Sequence, residues 1–407
     1  MNRQKKNILL IIPNLDFGGA QQSFVALSNE LAKQHRVTNV VFNRHNMAPY
    51  TFTAPLIDLG VPASASLLSK VKNFFTRISK VREIKKQYDI EIAISFLEGA
   101  DYVNLLSKEK DKTIVSVRGS KKHDQDITGW LGFFRHYVLL PMLYRKADYI
   151  VALNQGIRQE LISHYKLKSP IRVIYNGFST QIVGERTGEP LDKDAENLFR
   201  WPVLINHGRL STEKGLEQFI AVIAALKKQK VICKFLIVGE GPVKSNLQQV
   251  IADNQLKFWE REGEQNFSPD ADVYFWGYQQ NPFKFLARAK LFVLPSLHEG
   301  FGNSLAEAML CGIPVLASDC PYSPRELLTP GLTTDQPIQQ AEWADFGVLL
   351  PQWNTPGVVK AWANTITGLL SSEEKRQLYG LKAKERISFF SIEKTAQEWN
   401  DLIDEIT

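Results

Sequence analysis

The sequence predicts an α/β protein made of two doubly wound domains, each a parallel sheet covered by helices on both faces. Three observations carry this. Short β-branched runs alternate with longer amphipathic ones, the pattern of strands buried on both faces and joined by helices. The alternation stops over a polar stretch and restarts, and each half opens on a strand, a glycine-containing loop and a helix. A chain of 407 residues is also too long for one hydrophobic core.

In chain order, "NILLIIP" reads as a strand and "GGAQQSFVALSNELAKQ" as the helix that follows it. Further strands are predicted at "VTNVVF", "IEIAISF", "TIVSVRG", "DYIVALN" and "IRVIYN". Residues 179–200 are polar and lack a strand, so they read as a linker. The pattern restarts at "PVLINHG" (residues 202–208) and continues through "CKFLIVGEG", "DVYFWG", "KLFVLPS" and "GIPVLAS". The final stretch, "SIEKTAQEWNDLIDEI", is a helix with Ser391 as its N-cap. The expected division is therefore a first domain over 1–180, a linker over 181–200, a second domain over 201–386 and a C-terminal helix over 387–407 that crosses back to the first domain. Ligands of such sheets bind beyond the carboxyl ends of the strands, so the site is expected in a cleft between the two domains.

Composition narrows the function. With 44% apolar and 23% charged residues the chain is a folded protein rather than a disordered one. Three cysteines, Cys233, Cys311 and Cys320, have no metal-ligand spacing and fit a reducing compartment. "NILLII" is too short for a secretory signal, and no apolar run of about 20 residues is present to span a bilayer. Charge is uneven. Residues 1–178 hold 26 Lys and Arg against 14 Asp and Glu, whereas residues 179–407 hold 23 against 29. A basic first half suggests an anionic partner, either a phosphate-bearing substrate, a membrane surface or a nucleic acid. No nucleic-acid-binding motif supports the last.

Two motifs in the second half carry the chemistry. "HGRLSTEKG" (residues 207–215) follows a strand and places Arg209 and Lys214 in one loop. An arginine fork and a lysine point charge aimed at one place suit a diphosphate. The glycine spacing is not that of a P-loop. "PSLHEGFGNSLAEAMLCGIPV" (residues 295–315) holds a strand end, a glycine turn and a helix, with Glu299 and Glu307 on either side. Paired carboxylates can serve as acid and nucleophile in glycoside cleavage. Here the amides near Gly302, Asn303 and Ser304 open a helix and favour an anion between the two glutamates. A phosphate there would be repelled by a bare carboxylate, so the glutamates should face hydroxyls. A sugar diphosphonucleoside, with hydroxyls at both ends and phosphates between, matches that order. The plain alternative for both motifs is a solvated surface loop and a solvated helix face.

Taken together, "HEGFGNSLAEAM", "GRLSTEKG", "NLDFGGAQ" (residues 14–21), "VIYNGF" and "CPYSPREL" resemble, in the same order, the motifs of retaining family 4 glycosyltransferases of the GT-B fold, the bacterial polysaccharide-assembly type. The first is similar to their E-x7-E motif. The resemblance implies that Glu307 holds the donor ribose hydroxyls, and that Glu299 binds sugar hydroxyls near the reacting carbon. It implies that Arg209 and Lys214 neutralise the departing diphosphate. Amides at Gly302, Asn303 and Ser304 would hold a phosphate oxygen, while Gly18 and Gly19 would let the first domain's backbone approach donor phosphate or acceptor. Phe275 to Tyr278 would face the base. For the first-domain residue at the donor sugar, "VSVRGSKKHD" offers Arg118 or His123, at a spacing that departs from the family's simple form. Ser323 stands where relatives often have glycine.

The same resemblance implies a retaining glycosyltransferase that moves a hexosyl or N-acetylhexosaminyl unit from a nucleotide sugar, UDP-sugar preferred, to a glycan or lipid-linked saccharide. The setting would be cell-surface polysaccharide synthesis (lipopolysaccharide, O-antigen or capsule). The alternative is a nucleotide-sugar epimerase on the same architecture. No cofactor beyond the co-substrate is expected, and no metal. The three D-x-D pairs, at Asp124 and Asp126, Asp192 and Asp194, and Asp270 and Asp272, do not follow hydrophobic strands and read as chance. The basic amphipathic segment over residues 67–87 suits an anionic membrane surface, giving a cytoplasmic, peripherally bound protein. The aromatic segment over residues 130–144 reads instead as a core-facing stripe.

Overall fold

The computed structural model describes residues 4–44, 47–64, 66–122, 129–262, 266–330 and 336–407. They form two compact units, residues 1–177 with 390–407, and residues 178–389.

The first unit is built on seven parallel strands: β1 (Asn7–Ile12), β2 (Arg36–Val41), β3 (Leu56–Asp58), β4 (Ile92–Phe96), β5 (Lys112–Val117), β6 (Tyr149–Ala152) and β7 (Ile171–Val173). Their order is β3-β2-β1-β4-β5-β6-β7, so the sheet reverses direction between β1 and β4. Alternate residues of β1 serve opposite faces, as strand geometry demands. Ile8, Leu10 and Ile12 pack with the helix Gly19–Leu31 and with Trp399, Leu402 and Ile403 of the last helix, Ile392–Ile406. Leu9 and Ile11 pack with Ile78, Val81 and Ile84 of the helix Leu67–Gln87. Ser391 caps the last helix by accepting from the Lys394 N–H at 3.2 Å.

The helix Leu67–Gln87 is tied to the sheet by a buried ion pair. Lys85 Nζ lies 2.8 Å from Asp111 and also donates to Asn104. Its opposite face stays in solvent, where Leu68, Val71 and Phe75 are exposed beside Lys70, Lys72 and Lys80.

Two expectations are corrected. The aromatic segment does not face the core: Trp130, Phe133, Phe134, Tyr137, Val138 and Met142 are all exposed, and Leu140, Leu143 and Tyr144 are buried instead. The reason is a π-helical turn over Arg135–Leu139 between the helices Gly129–Phe134 and Leu140–Tyr144. Its wider turn shifts the phase, so an α-helical reading of the stripe fails. The stretch 181–200 is also not an irregular linker. It folds as the helices Thr180–Thr187 and Lys193–Leu198, capped by Ser179 and Asp192, and belongs to the second unit.

The second unit has eight strands: β8 (Val203–His207), β9 (Lys234–Val238), β10 (Phe258–Glu260), β11 (Val273–Phe275), β12 (Leu291–Leu294), β13 (Val315–Ser318), β14 (Glu342–Trp343) and β15 (Val348–Leu350). Their order is β10-β11-β9-β8-β12-β13-β15-β14, parallel except for the edge strand β14. Here the order reverses between β8 and β12. Strands β3, β10, β14 and β15, of two or three residues each, were not separated from loops in the sequence. Among the described residues, no helix is long and apolar enough to cross a membrane.

The buried Lys85–Asp111 pair gives a direct test. Lys85→Ala leaves the Asp111 charge without its partner and should cost about 3–5 kcal/mol of unfolding free energy. Replacing both residues with apolar ones of similar volume should recover most of it. Urea unfolding of the three proteins measures both.

Candidate functional site

The second sheet reverses its order at β8 and β12, and ligands of doubly wound sheets bind at such a point. The loops that leave these two strands carry the basic motif and the first glutamate. They are stitched together. The Leu297 N–H donates to the Glu213 carbonyl at 2.8 Å, and Lys214 Nζ donates to Glu299 Oε1 at 2.8 Å. Below them, the Asn206 side chain donates to the Val293 carbonyl at 2.8 Å.

Gly215 makes the approach possible. Its φ of +64° is left-handed, and a Cβ there would sit 2.0 Å from the Pro295 carbonyl oxygen. That carbonyl accepts from Trp353 Nε1 at 2.6 Å, and the Trp353 ring stacks on Trp362 at 5.6 Å. Thr212–Lys214 is a 3-10 turn, and the α-helix begins only at Leu216. The left-handed glycine between them accounts for the break.

Glu299 is buried. Both Lys214 and the Ser296 hydroxyl, at 2.7 Å, donate to its Oε1. Its other oxygen has no hydrogen-bond partner among the described residues. Burial pulls the Lys214 ammonium down, but the Glu299 charge and hydrogen bond outweigh that and hold it above the ordinary lysine value. Arg209 is exposed and makes no ion pair with any described residue.

The helix Asn303–Leu310 starts from Gly302 at φ +76°, with no capping side chain and no acid in its first turn. Such a start favours an anion. The chain before it is anchored: the Glu299 N–H donates to the Pro321 carbonyl at 2.8 Å, and the Ser323 hydroxyl donates to the Phe301 carbonyl. Ser323, the departure from the family pattern, thus ties the glycine turn to the helix Ser323–Leu328. Glu307 lies one turn inside the helix, buried, with Oε2 2.6 Å from His207 Nε2.

The structure therefore gathers Arg209, Lys214, Glu299, Gly302, Asn303, Ser304 and Glu307 on the loops and helix around β8 and β12. Two members of the expected base-facing group do not belong with them. Phe275 and Trp276 are buried in the core, at 0% and 1% exposure, because the strand end turns them inward. Only Tyr278, past Gly277, is exposed.

In the first unit, Gly19 opens the helix after β1, and Gly18 precedes it with extended backbone. A Cβ on Gly18 would meet the Gln21 side chain, which itself donates to Asn14 at 2.9 Å. Arg118 follows β5. It donates to the Asn176 side chain and to the Ser116 hydroxyl, and stacks over the Phe96 ring at 4.8 Å. Burial pulls its guanidinium below the ordinary arginine value. His123 lies outside the described residues. Of the three D-x-D pairs, Asp124 and Asp126 also lie outside them. Asp192 caps a helix, and Asp272 binds Lys227 and the Lys257 N–H.

Sequence reasoning missed Ser296, Trp353 and His207 as parts of this site. Only His207 had a readable signal, namely its place as the last residue of β8, directly before the basic loop.

Gly215 is the position where one methyl group should separate the two loops. Gly215→Ala adds a strained left-handed residue, about 1–2 kcal/mol, and a clash with Pro295. The expected outcome is a urea midpoint clearly below that of the wild type.

Comparison with known proteins agrees with this geometry. Residues 201–372 match the family of glycosyl transferases group 1, and residues 17–182 match glycosyltransferase family 4. An uncharacterised glycosyltransferase of Methanocaldococcus jannaschii is 31% identical over 67% of this chain and 68% of its own length. The N-acetylgalactosamine-N,N'-diacetylbacillosaminyl-diphospho-undecaprenol 4-alpha-N-acetylgalactosaminyltransferase of Campylobacter jejuni is 22% identical over 96% of this chain and 97% of its own. Among solved structures, Anabaena HepE in complex with UDP-glucose has a TM-score of 0.71 at 18% identity, covering 98% of this chain and 99% of that one. The chain belongs to the family 4 glycosyltransferases of the GT-B fold.

Proposed function

We propose that this glycosyltransferase moves a sugar from a UDP-sugar to a hydroxyl of a glycan or lipid-linked saccharide, with retained anomeric configuration, in cell-surface polysaccharide synthesis. The observation that carries it is the stitched pair of loops at β8 and β12, which brings two cations, an uncapped helix start and two buried carboxylates together. The Campylobacter jejuni relative is named for a diphospho-undecaprenol-linked substrate, and the Anabaena neighbour binds UDP-glucose. Both support the choice of donor and acceptor class.

The roles follow from the chemistry of each group. Lys214 has three N–H donors and spends one on Glu299, so two remain for the diphosphate. Arg209 adds an exposed charge that has no ion pair among the described residues. With the amides at Gly302, Asn303 and Ser304, these groups oppose the negative charge that grows on the leaving diphosphate, the main catalytic contribution. Glu299 has one oxygen engaged and one left to accept from sugar hydroxyls. The acceptor oxygen bonds to the anomeric carbon as the carbon–phosphate-oxygen bond breaks on the same face. The acceptor proton passes to the departing phosphate. No metal is assigned a step. In the first unit, Gly18 and Gly19 are assigned to donor phosphate or acceptor. The first-unit contact to the donor sugar is assigned to Arg118, which is held by Asn176 and Ser116, or to His123.

The protein is further proposed to bind the cytoplasmic face of an anionic membrane through the first unit. Exposed Leu68, Val71 and Phe75 beside Lys70, Lys72 and Lys80 support this, as does the exposed aromatic face of residues 130–142.

Two experiments test these assignments. A panel of nucleotide sugars scored by thermal shift, with UDP-sugars expected to stabilise, identifies the donor. Lys214→Ala should then lower turnover on it by at least about 100-fold in protein that is still folded at the assay temperature, although the unpaired, buried Glu299 lowers the unfolding midpoint. Turnover near wild type would remove Lys214 from the mechanism. Separately, the protein should float with anionic vesicles at low salt and lose most of that binding in Phe75→Ser with Trp130→Ser. Equal flotation of that double variant would remove both segments from the membrane contact.

A further inference from the structure

We propose that His207 is a positioning residue for nucleotide recognition, holding one oxygen of Glu307 so that the other accepts from the ribose hydroxyls of the donor. This rests on the reading of the site as a nucleotide-sugar site.

Strand parity places the residue. Leu204 of β8 packs into the core formed by the helices Leu216–Lys228 and Val358–Leu370. His207 has the opposite parity and reaches the other face, where its ring lies 6.3 Å from Phe292 and its Nε2 lies 2.6 Å from Glu307 Oε2.

Glu307 needs such a partner. Its side chain is only 11% exposed, and a buried carboxylate without compensation is costly. Every residue of its helix from Ser304 to Leu310 is buried. The neighbouring thiol, Cys311, is pushed up to about 12 by burial and then by the Glu307 charge, so it stays neutral and offers no counter-charge. His207 is the one cationic or ring-nitrogen partner of Glu307 among the described residues. The approach of His207 to Oε2 is a close ion-pair contact without hydrogen-bond geometry, and the remaining oxygen, Oε1, has no hydrogen bond to any described residue. A carboxylate held by one oxygen has lost its rotational freedom, so it meets the ribose diol in one orientation instead of several. The imidazole, with two side-chain torsions at the end of a buried strand, is itself pre-organised.

The test compares ribose with its hydroxyl-free counterpart. UDP, GDP and ADP are each titrated against their 2′,3′-dideoxy forms by calorimetry, using wild type, His207→Ala, His207→Gln and Glu307→Gln. For the nucleotide that binds best, wild type should prefer the ribose form by about tenfold or more. His207→Ala should bring that ratio close to one by weakening the ribose form alone. His207→Gln, which keeps a donor at similar reach, should restore part of it. His207→Ala should add nothing to the ratio in the Glu307→Gln background, the signature of two residues acting as a unit. A His207→Ala protein that keeps the full ratio overturns the role of His207 and leaves the nucleotide-sugar reading standing. A wild type that binds ribose and dideoxy forms equally overturns the assignment of Glu307 to ribose, and the proposal with it.

Discussion

A main-chain bond from the Leu297 N–H to the Glu213 carbonyl ties the loop after β8 to the loop after β12. Strands on either side of an order reversal send their following helices to opposite faces of the sheet, so the two loops would otherwise diverge and leave a crevice. Here the crevice floor is drawn shut at one level by that bond, by the Lys214–Glu299 pair and by the contact of Gly215 with Pro295. The basic loop is thereby held beside the glycine turn that precedes the helix Asn303–Leu310. Support comes from further along the chain, where Trp353 and Ser323 each occupy a carbonyl on the β12 side.

Both glutamates are solved in the same way. Each carboxylate is buried, each is gripped at a single oxygen by groups from β8 or the loops around it, and each leaves its second oxygen without a partner among the described residues. Burial alone would make such groups expensive, and full satisfaction would make them inert. Half-satisfied carboxylates are stable enough to stay in place and still able to accept from an incoming hydroxyl. The first unit spends its buried charge differently. The Lys85–Asp111 pair and Asn104 satisfy one another, and they serve to seat a helix whose outer face is left to other uses.

Much of this was legible in the sequence where chemistry and spacing are local. The longer strands and helices of both sheets follow from β-branched runs and amphipathic stretches, whereas the two- and three-residue strands β3, β10, β14 and β15 do not. Arg209, Lys214, Glu299, Gly302 and Glu307 lie within two short motifs, so the fold only had to bring two loops together. What escaped depends on features that spacing does not encode. The π-turn at Arg135–Leu139 changes helix phase, so it turned an apparently buried aromatic stripe outward. The helices at Thr180–Thr187 and Lys193–Leu198 were hidden by polarity, because they are short and each buries only one or two residues. Phe275 and Trp276 sit in a motif that suggests ligand contact, but strand geometry sends them into the core. His207, Trp353 and Ser296 act through long-range or rotamer-dependent contacts, which only coordinates reveal.

The C-terminal helix has a consequence for how the chain is made. Residues 178–389 are an insertion within the first unit, whose sheet is complete in sequence by β7 but whose core also needs Trp399, Leu402 and Ile403. A ribosome delivers those three side chains last, after every residue of the second unit. The apolar face of β1 and of the helix Gly19–Leu31 therefore waits, uncovered, for the time needed to synthesise more than two hundred residues, on the order of ten to forty seconds at ordinary elongation rates. The second unit, whose own core is contiguous in sequence, can finish folding inside that interval. The order of birth is thus the reverse of the order of reading: the domain begun first is the one completed last.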